Sequence, residues 1–149
     1  MKSKAIYFDV CTLCRPFDDQ NYLRIRLETE AYHMILAKVK AGLFTMLVSK
    51  AHVKEIEAIP DLSERIDLQT ILEKFGKPVS VNVAQTRKRA DELIKAGFGI
   101  ADAAHVAFSE KANAEFVSCD DALIKKCSKH GINTWCGNPI LFCEKEGLK

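Results

Sequence analysis

Nothing in this chain is apolar for long enough to cross a bilayer. No hydrophobic run approaches the roughly 18 residues a span needs, so no membrane helix is expected. Nor does Met1-Lys2-Ser3-Lys4 open a signal peptide, because the short apolar run after it is cut off at Asp9. A cytoplasmic protein is the expectation. A dominant charge is missing too: 22 basic and 20 acidic residues leave a net charge of +2. The pI of about 8.2 falls short of the ~9 typical of isolated nucleic-acid-binding domains, so any contact with RNA must come from local Lys and Arg placement. Low-complexity stretches, internal repeats and linkers are absent. All 149 residues are therefore expected to form one domain, long enough to bury its own core.

The thiols are Cys11, Cys14, Cys119, Cys127, Cys136 and Cys143. With no secretion signal they read as reduced cysteines and not as a disulfide framework. Cys11-Thr12-Leu13-Cys14 has the spacing of a zinc or redox pair, but no second ligand pair follows, and Arg15-Pro16 interrupts the helix a redox pair usually opens. Packing is the expected use. There is also no GxxxxGK[ST] phosphate loop, which removes the common NTPases.

What the chain does have is alternation. Lys4–Phe8 is a short β-favouring run. From Tyr22 to Ala41 apolar residues recur at Leu23, Leu27, Ala31, Met34, Ile35 and Val39, the spacing of a helix, with Arg24/Glu28 and Arg26/Glu30 as flanking ion pairs and Gly42 as the stop. Leu43–Val48 reads as a second strand, Ser49 caps a helix over Lys50–Ala58, and Asp61–Phe75 is another helix ended by Gly76 and Pro78. Val79–Val83 is the expected third strand, and Ala84–Ala96 a helix stopped by Gly97. Asp102–Ala112 is a helix with Ala103, Val106 and Ala107 on one side. Ala114–Ser118 is the fourth strand, Asp120–His130 a helix, Ile132–Trp135 an edge strand, and the chain beyond Gly137-Asn138-Pro139 a loosely held tail. Strands alternating with helices predict an α/β fold: three layers, α/β/α, around a parallel sheet of four to five strands.

Four acids sit where a strand ends or the next helix begins: Asp9, Glu55, Asp102 and Asp120. Taken singly each has an ordinary structural use. Asp9 suits a turn, Glu55 an exposed first-turn position, Asp102 an N-cap after Gly99, and either Asp120 or Asp121 the cap of its helix. Taken together they mean more. In an open parallel sheet the strand C-termini and following helix starts line one edge, where ligands bind. Four carboxylates gathered there repel one another unless a cation neutralises them. Hard oxygen donors suit Mg²⁺ or Mn²⁺, and metal-assisted phosphodiester hydrolysis is the chemistry such a site serves.

Four segments, in order, resemble the motifs of PIN-domain proteins: Ile6-Tyr7-Phe8-Asp9-Val10-Cys11; Leu47-Val48-Ser49 with Glu55 six residues on; Gly99-Ile100-Ala101-Asp102-Ala103-Ala104-His105-Val106-Ala107; and Phe116-Val117-Ser118-Cys119-Asp120-Asp121-Ala122-Leu123. Cys14–Gln20 with Arg24–Glu28 is similar to a subgroup of small prokaryotic, VapC-like members. The resemblance spans residues 4 to 135 or so, nearly the whole chain. It implies a parallel sheet between helices, Mg²⁺- or Mn²⁺-dependent ribonuclease activity, and the role of a toxin neutralised by a cognate antitoxin. It also implies pairing into a homodimer, for which the helix Tyr22–Ala41 and the segment Trp135–Phe142 are the expected surfaces. Carried over residue by residue, the metal-site acids are Asp9, Glu55, Asp102 and Asp120, with Ser49 as the polar residue closing the second motif and Asp121 as the understudy of Asp120. Cys11 and Thr12 replace the small or hydroxyl residues more common after the first acid.

On this reading Asp9, Asp102 and Asp120 hold the metal and Glu55 completes its shell or orients the attacking water. Arg15 is the best candidate to contact substrate phosphate, with Lys50, Lys54, Lys125 and Lys126 behind it. His105 is read as a packed or N–H-bonded helix histidine, with acid–base work the sharper alternative. A dehalogenase-like phosphatase would need a second aspartate where Cys11 stands, and a receiver domain an aspartate where Asn82-Val83-Ala84 ends the third strand. The competing function is a catalytically inert PIN-like module that binds RNA or protein.

Overall fold

The structure, a computed structural model, describes residues 3–149. Met1 and Lys2, the start of the segment read above as no leader, lie outside the described residues. Lys4–Phe8 forms β1, the central strand, paired in parallel with β2 (Phe44–Val48) on one side and β4 (Glu115–Val117) on the other. β3 (Gly76–Pro78) and β5 (Cys136–Gly137) lie at the edges, giving the order β3-β2-β1-β4-β5. A parallel strand buried on both faces needs apolar side chains throughout, and Ile6, Tyr7 and Phe8 are all at most 1% exposed.

Because side chains alternate along a strand, β1 feeds two cores. Ile6 and Phe8 pack with Tyr32, Ile35 and Leu36 of α2 (Leu23–Lys40), Leu68 of α4 (Leu62–Phe75) and Phe142 of α8 (Pro139–Glu146). Tyr7 packs on the opposite face with Leu93 of α5 (Val83–Lys95), Ala103, Val106 and Ala107 of α6 (Ile100–Lys111), and Leu123 of α7 (Asp121–Lys129). Helices on both faces of an all-parallel sheet make the expected three-layer α/β/α architecture. No helix of the described residues is long and apolar enough to cross a membrane.

Six local readings are corrected. A four-residue helix, α1 (Val10–Leu13), and a 3₁₀ turn (Arg15–Phe17) follow β1 directly, because the Asp9 side chain caps α1. The third strand is Gly76–Pro78 and not Val79–Val83: it starts as soon as α4 ends, tolerates Pro78 because it lies at an edge, and leaves Asn82 free to cap α5. The last strand is Cys136–Gly137, just beyond Ile132–Trp135. The tail is held: Asn138 caps α8, Pro139 occupies its first position, and Phe142 is buried against Trp135, while Leu141 between them is half exposed. On α2 the apolar Leu23 and Leu27 are exposed while Glu28 is fully buried. Arg26 donates to the Gln20 carbonyl and not to Glu30.

The strand order sets where a ligand can sit. From β1 the chain builds outward to β2 and β3, then returns past β1 to add β4 and β5. The direction of winding reverses between β1 and β4, and a crevice opens outside their C-termini at such a point.

Candidate functional site

Asp9 stands at that reversal. Its backbone N–H donates to the Val117 carbonyl of β4 at 3.2 Å, so β1 and β4 remain paired up to the acid. Its extended backbone makes it the N-cap of α1, and its carboxylate, only 4% exposed, accepts from α1 and from the end of β4. Oδ1 takes Thr12 N at 3.1 Å and Thr12 Oγ1 at 2.6 Å; Oδ2 takes Ser118 Oγ at 2.6 Å. The Cys11 thiol stands 3.2 Å from both oxygens. The two residues that depart from the family pattern after the first acid thus serve it as donors. Burial first, and then the charge of Asp9, pushes the Cys11 thiol far above its ordinary value.

Across the switch point, Ser118 accepts from Asp120 N at 3.0 Å while donating to Asp9, tying the first and fourth motifs together. Asp120 caps α7 by accepting from Leu123 N at 3.2 Å. Asp121 turns away: both its oxygens bond Arg24 at 2.6 Å, which holds its carboxyl below the usual range. Asp120 is the member of the pair on the crevice side. Asp102 lies in the first turn of α6, half-buried, with Gly99 and not Asp102 as the cap. Its carboxyl is raised above the ordinary value by burial and then by the negative charges of Asp120, Asp9 and Glu55, with His105 opposing. Asp102 therefore feels all three of the other acids that the sequence singled out.

Closeness in field is not a finished coordination sphere. Among the described residues no three His, Cys, Asp or Glu side chains stand in an arrangement that could already hold a metal ion. Like charges hold one another apart. In kind the donors fit a hard divalent cation: Asp9, Asp102 and Asp120 offer carboxylate oxygens, and the Asp102 carboxyl is raised by burial and then by the charges of its acidic neighbours.

The remaining expectations fare differently. Ser49 is 4% exposed, and its hydroxyl lies 2.7 Å from Tyr7 Oη, inside the core and not at a substrate surface. Arg15, expected at the phosphate, gives Nε and Nη2 to Glu28 Oε1 at 3.1 and 2.8 Å and Nη1 to Asp18 at 3.1 Å. It is a structural partner of a buried acid. Lys50, Lys54 and Lys125 are exposed, whereas Lys126 donates to the Gly97 carbonyl at 3.0 Å.

Sequence reasoning missed a chain of buried polar groups behind Glu55. Glu55 Oε1 meets His105 Nε2; His105 Nδ1 lies 2.6 Å from Tyr7 Oη. Beside them, His52 accepts from Ser49 N on Nδ1 at 3.0 Å and reaches the Phe8 carbonyl through Nε2 at 2.6 Å. That pattern assigns the proton to Nε2 and the neutral form, and burial, reinforced by His105, pulls the His52 pKa down to about 4. Tyr7 inside an otherwise aliphatic strand was the available signal, since a buried phenol needs a partner.

Two solved structures share the fold. FitAcB from Neisseria gonorrhoeae covers 90% of this chain and 97% of its own, with a TM-score of 0.55 at 15% identity. PAE2754 from Pyrobaculum aerophilum covers 97% and 90%, with a TM-score of 0.52 at 14% identity. At such identities the likeness speaks for the fold alone. No family model and no curated protein matches the chain.

Proposed function

We propose that this chain is a metal-dependent ribonuclease that hydrolyses RNA phosphodiester bonds, with Mg²⁺ or Mn²⁺ held by Asp9, Asp102 and Asp120. The observation that carries the proposal is the placement of Asp9 and Asp120 at the two strand ends of the switch point, tied through Ser118, with Asp102 raised by burial and then by the charges of Asp120, Asp9 and Glu55. A divalent cation bound there supplies Lewis-acid stabilisation of the phosphoryl oxygens and a nucleophile at neutral pH. The chain's own residues do the rest. Thr12, Ser118 and the cap geometry fix Asp9; Ser118 keeps Asp120 beside it; Glu55 accepts a proton from, or orients, the attacking water. Exposed Lys50, Lys54 and Lys125 are the side chains with free reach for RNA phosphates.

The resemblance of the motifs supports assigning the protein to a toxin–antitoxin pair, with a small cognate antitoxin as partner. Exposed Tyr22, Leu23 and Leu27 on one end of α2 support a homodimer. A second reading, an inert PIN-like module for binding RNA or protein, draws on two observations. The four donors around Asp9 already fill most of its acceptor sites, and the acids do not stand at ligand distance.

Titration calorimetry with Mn²⁺ and cleavage of single-stranded RNA separate the two. The nuclease reading expects metal binding at or below millimolar concentration, cleavage that needs it, and loss of both in Asp9→Asn. No binding at millimolar Mn²⁺ leaves the inert module. Growth arrest on expression, relieved by the product of a small adjacent gene, tests the toxin assignment.

A further inference from the structure

The line of polar groups behind Glu55 is buried at every step: Tyr7 is 0% exposed, His105 1%, Ser49 4% and His52 1%. Burying so many polar atoms between β1, the start of α3 (Lys50–Glu57) and α6 is costly unless each finds a partner. Each does, and the partners fix the direction of the protons. His52 Nδ1 is already engaged by Ser49 N, so the Ser49 hydroxyl, 3.5 Å from that nitrogen, turns instead to Tyr7 Oη at 2.7 Å. Tyr7 has one proton, and its other neighbour is His105 Nδ1 at 2.6 Å. If Ser49 donates to Tyr7 and Tyr7 to Nδ1, the imidazole carries its own proton on Nε2, the atom that meets Glu55 Oε1. One assignment satisfies every donor and acceptor in the line.

Glu55 lies within its helix, neither a cap nor at a strand end, and its side chain is 36% exposed. Left alone it samples several rotamers. The imidazole removes that freedom: Oε1 is taken, and Oε2 has no hydrogen-bond partner among the described residues. We propose that His105 is the positioning residue of the site, presenting one oxygen of Glu55 to the crevice shared with Asp102, and that Tyr7 and Ser49 hold His105 in the required tautomer. The proposal rests on the ribonuclease reading, in which Glu55 handles the attacking water.

The two imidazole nitrogens can be tested apart. Gln places an N–H where Nε2 stands; Asn places an acceptor where Nδ1 stands. His105→Gln keeps the donor to Glu55 and is expected to recover most of the activity. His105→Asn keeps the acceptor for Tyr7 and is expected to lower kcat by roughly 10–100-fold with KM unchanged, the range seen when a partner that orients a site ligand is removed. Equal loss in both variants, or wild-type kcat in His105→Asn, overturns the proposal. Proton NMR of the imidazole N–H groups gives a second measurement that needs no activity. The contact to Glu55 is expected to give a far-downfield, exchange-protected Nε2–H resonance that moves in Glu55→Gln. A resonance unmoved by Glu55→Gln overturns the proposal even if neither histidine variant folds. If the resonance moves but the wild type neither binds Mn²⁺ nor cleaves RNA, the ribonuclease reading fails, and the positioning role fails with it while the hydrogen bond stands.

Discussion

Removing the Arg15 side chain separates a structural role from a substrate-binding one. Glu28 is fully buried, and its oxygens have two cationic partners. Arg15 is the stronger, with two contacts to Oε1 at 3.1 and 2.8 Å; Arg24, half-exposed, touches Oε2 at 3.5 Å. Burial opposes the Arg15 charge, yet the bonds to Glu28 and Asp18 more than offset it and hold its pKa above the ordinary value. Arg15→Ala leaves a buried carboxylate with only the weaker partner, and breaking a buried pair from one side costs about 3–5 kcal/mol. Arg24 remains and Arg15 is itself 20% exposed, so the lower end applies. About 3 kcal/mol in a chain of this length lowers Tm by roughly 6–12 °C. Urea denaturation followed by circular dichroism gives the free energy, provided the m-value is unchanged. Arg15→Met combined with Glu28→Met is expected to regain most of the loss, because an apolar pair of similar volume can replace a buried ion pair. RNA cleavage is measured on the same variants. If Arg15→Ala is as stable as the wild type while KM for RNA rises, the structural assignment is wrong and the guanidinium serves the substrate.

Two further perturbations probe the site and the sheet edge. A carboxyl raised on folding binds more protons folded than unfolded, so stability falls as pH climbs from its unfolded value through its folded one. Asp102 is raised by burial and its acidic neighbours. Asp102→Asn in EDTA is therefore expected to raise Tm at neutral pH and to match the wild type near about pH 3, below both values; an equal change at both pH values rejects the electrostatic account. At Gly76 a methyl group would stand 2.6 Å from the Leu72 carbonyl and against the Val48 side chain. Gly76→Ala is expected to cost roughly 1–3 kcal/mol through overpacking at the turn from α4 into β3, and unchanged thermal denaturation would show that this junction is open.

The architecture was legible because it rests on periodicity. Lys4–Phe8, the helix on Ala31, Ile35 and Val39, and the Ala103, Val106, Ala107 face of α6 each repeat with the period of their element and reach the core as read. The misses are local. Val79–Val83 has the apolar alternation of a strand, but pairing with β2 begins at Gly76, and Asn82 is needed as a helix cap. Asn138-Pro139 looks like a turn dipeptide, and the same pair is the cap and first residue of α8. Glu28 sits among apolar spacings as a flanking charge, and only the fold brings Arg15 back over it. The substitution Asp9→Asn shows the same limit. Removing a like charge is expected from sequence to leave stability equal or higher. In the structure Thr12, Ser118 and Cys11 all donate to this carboxylate, and charged acceptors make the stronger bonds, so Asp9→Asn is expected instead to lower Tm in EDTA.

The site itself was half legible, and the reason lies in what capping and gathering have in common. Read one at a time, Asp9 suits a turn and Asp102 and Asp120 suit helix caps; in the structure Asp9 caps α1 and Asp120 caps α7, while Asp102 occupies the first turn of α6. These are not rivals to a shared acidic crevice. In a parallel sheet a helix that follows a strand, as α1 and α7 do, or leads into the next one, as α6 leads into β4, starts at the edge of the strand C-termini, so an acid in its first turn is carried toward the others by topology. The N-terminal ends of the helices partly offset the repulsion that results. Glu55 differs: it lies a turn inside its helix, no cap fixes it, and its orientation comes from His105, Tyr7 and Ser49, three residues on three separate elements. An acid placed by local backbone chemistry can be found from its neighbours in sequence. One placed by a relay across the core cannot, because its spacing of 50 positions to His105 carries no periodic signal.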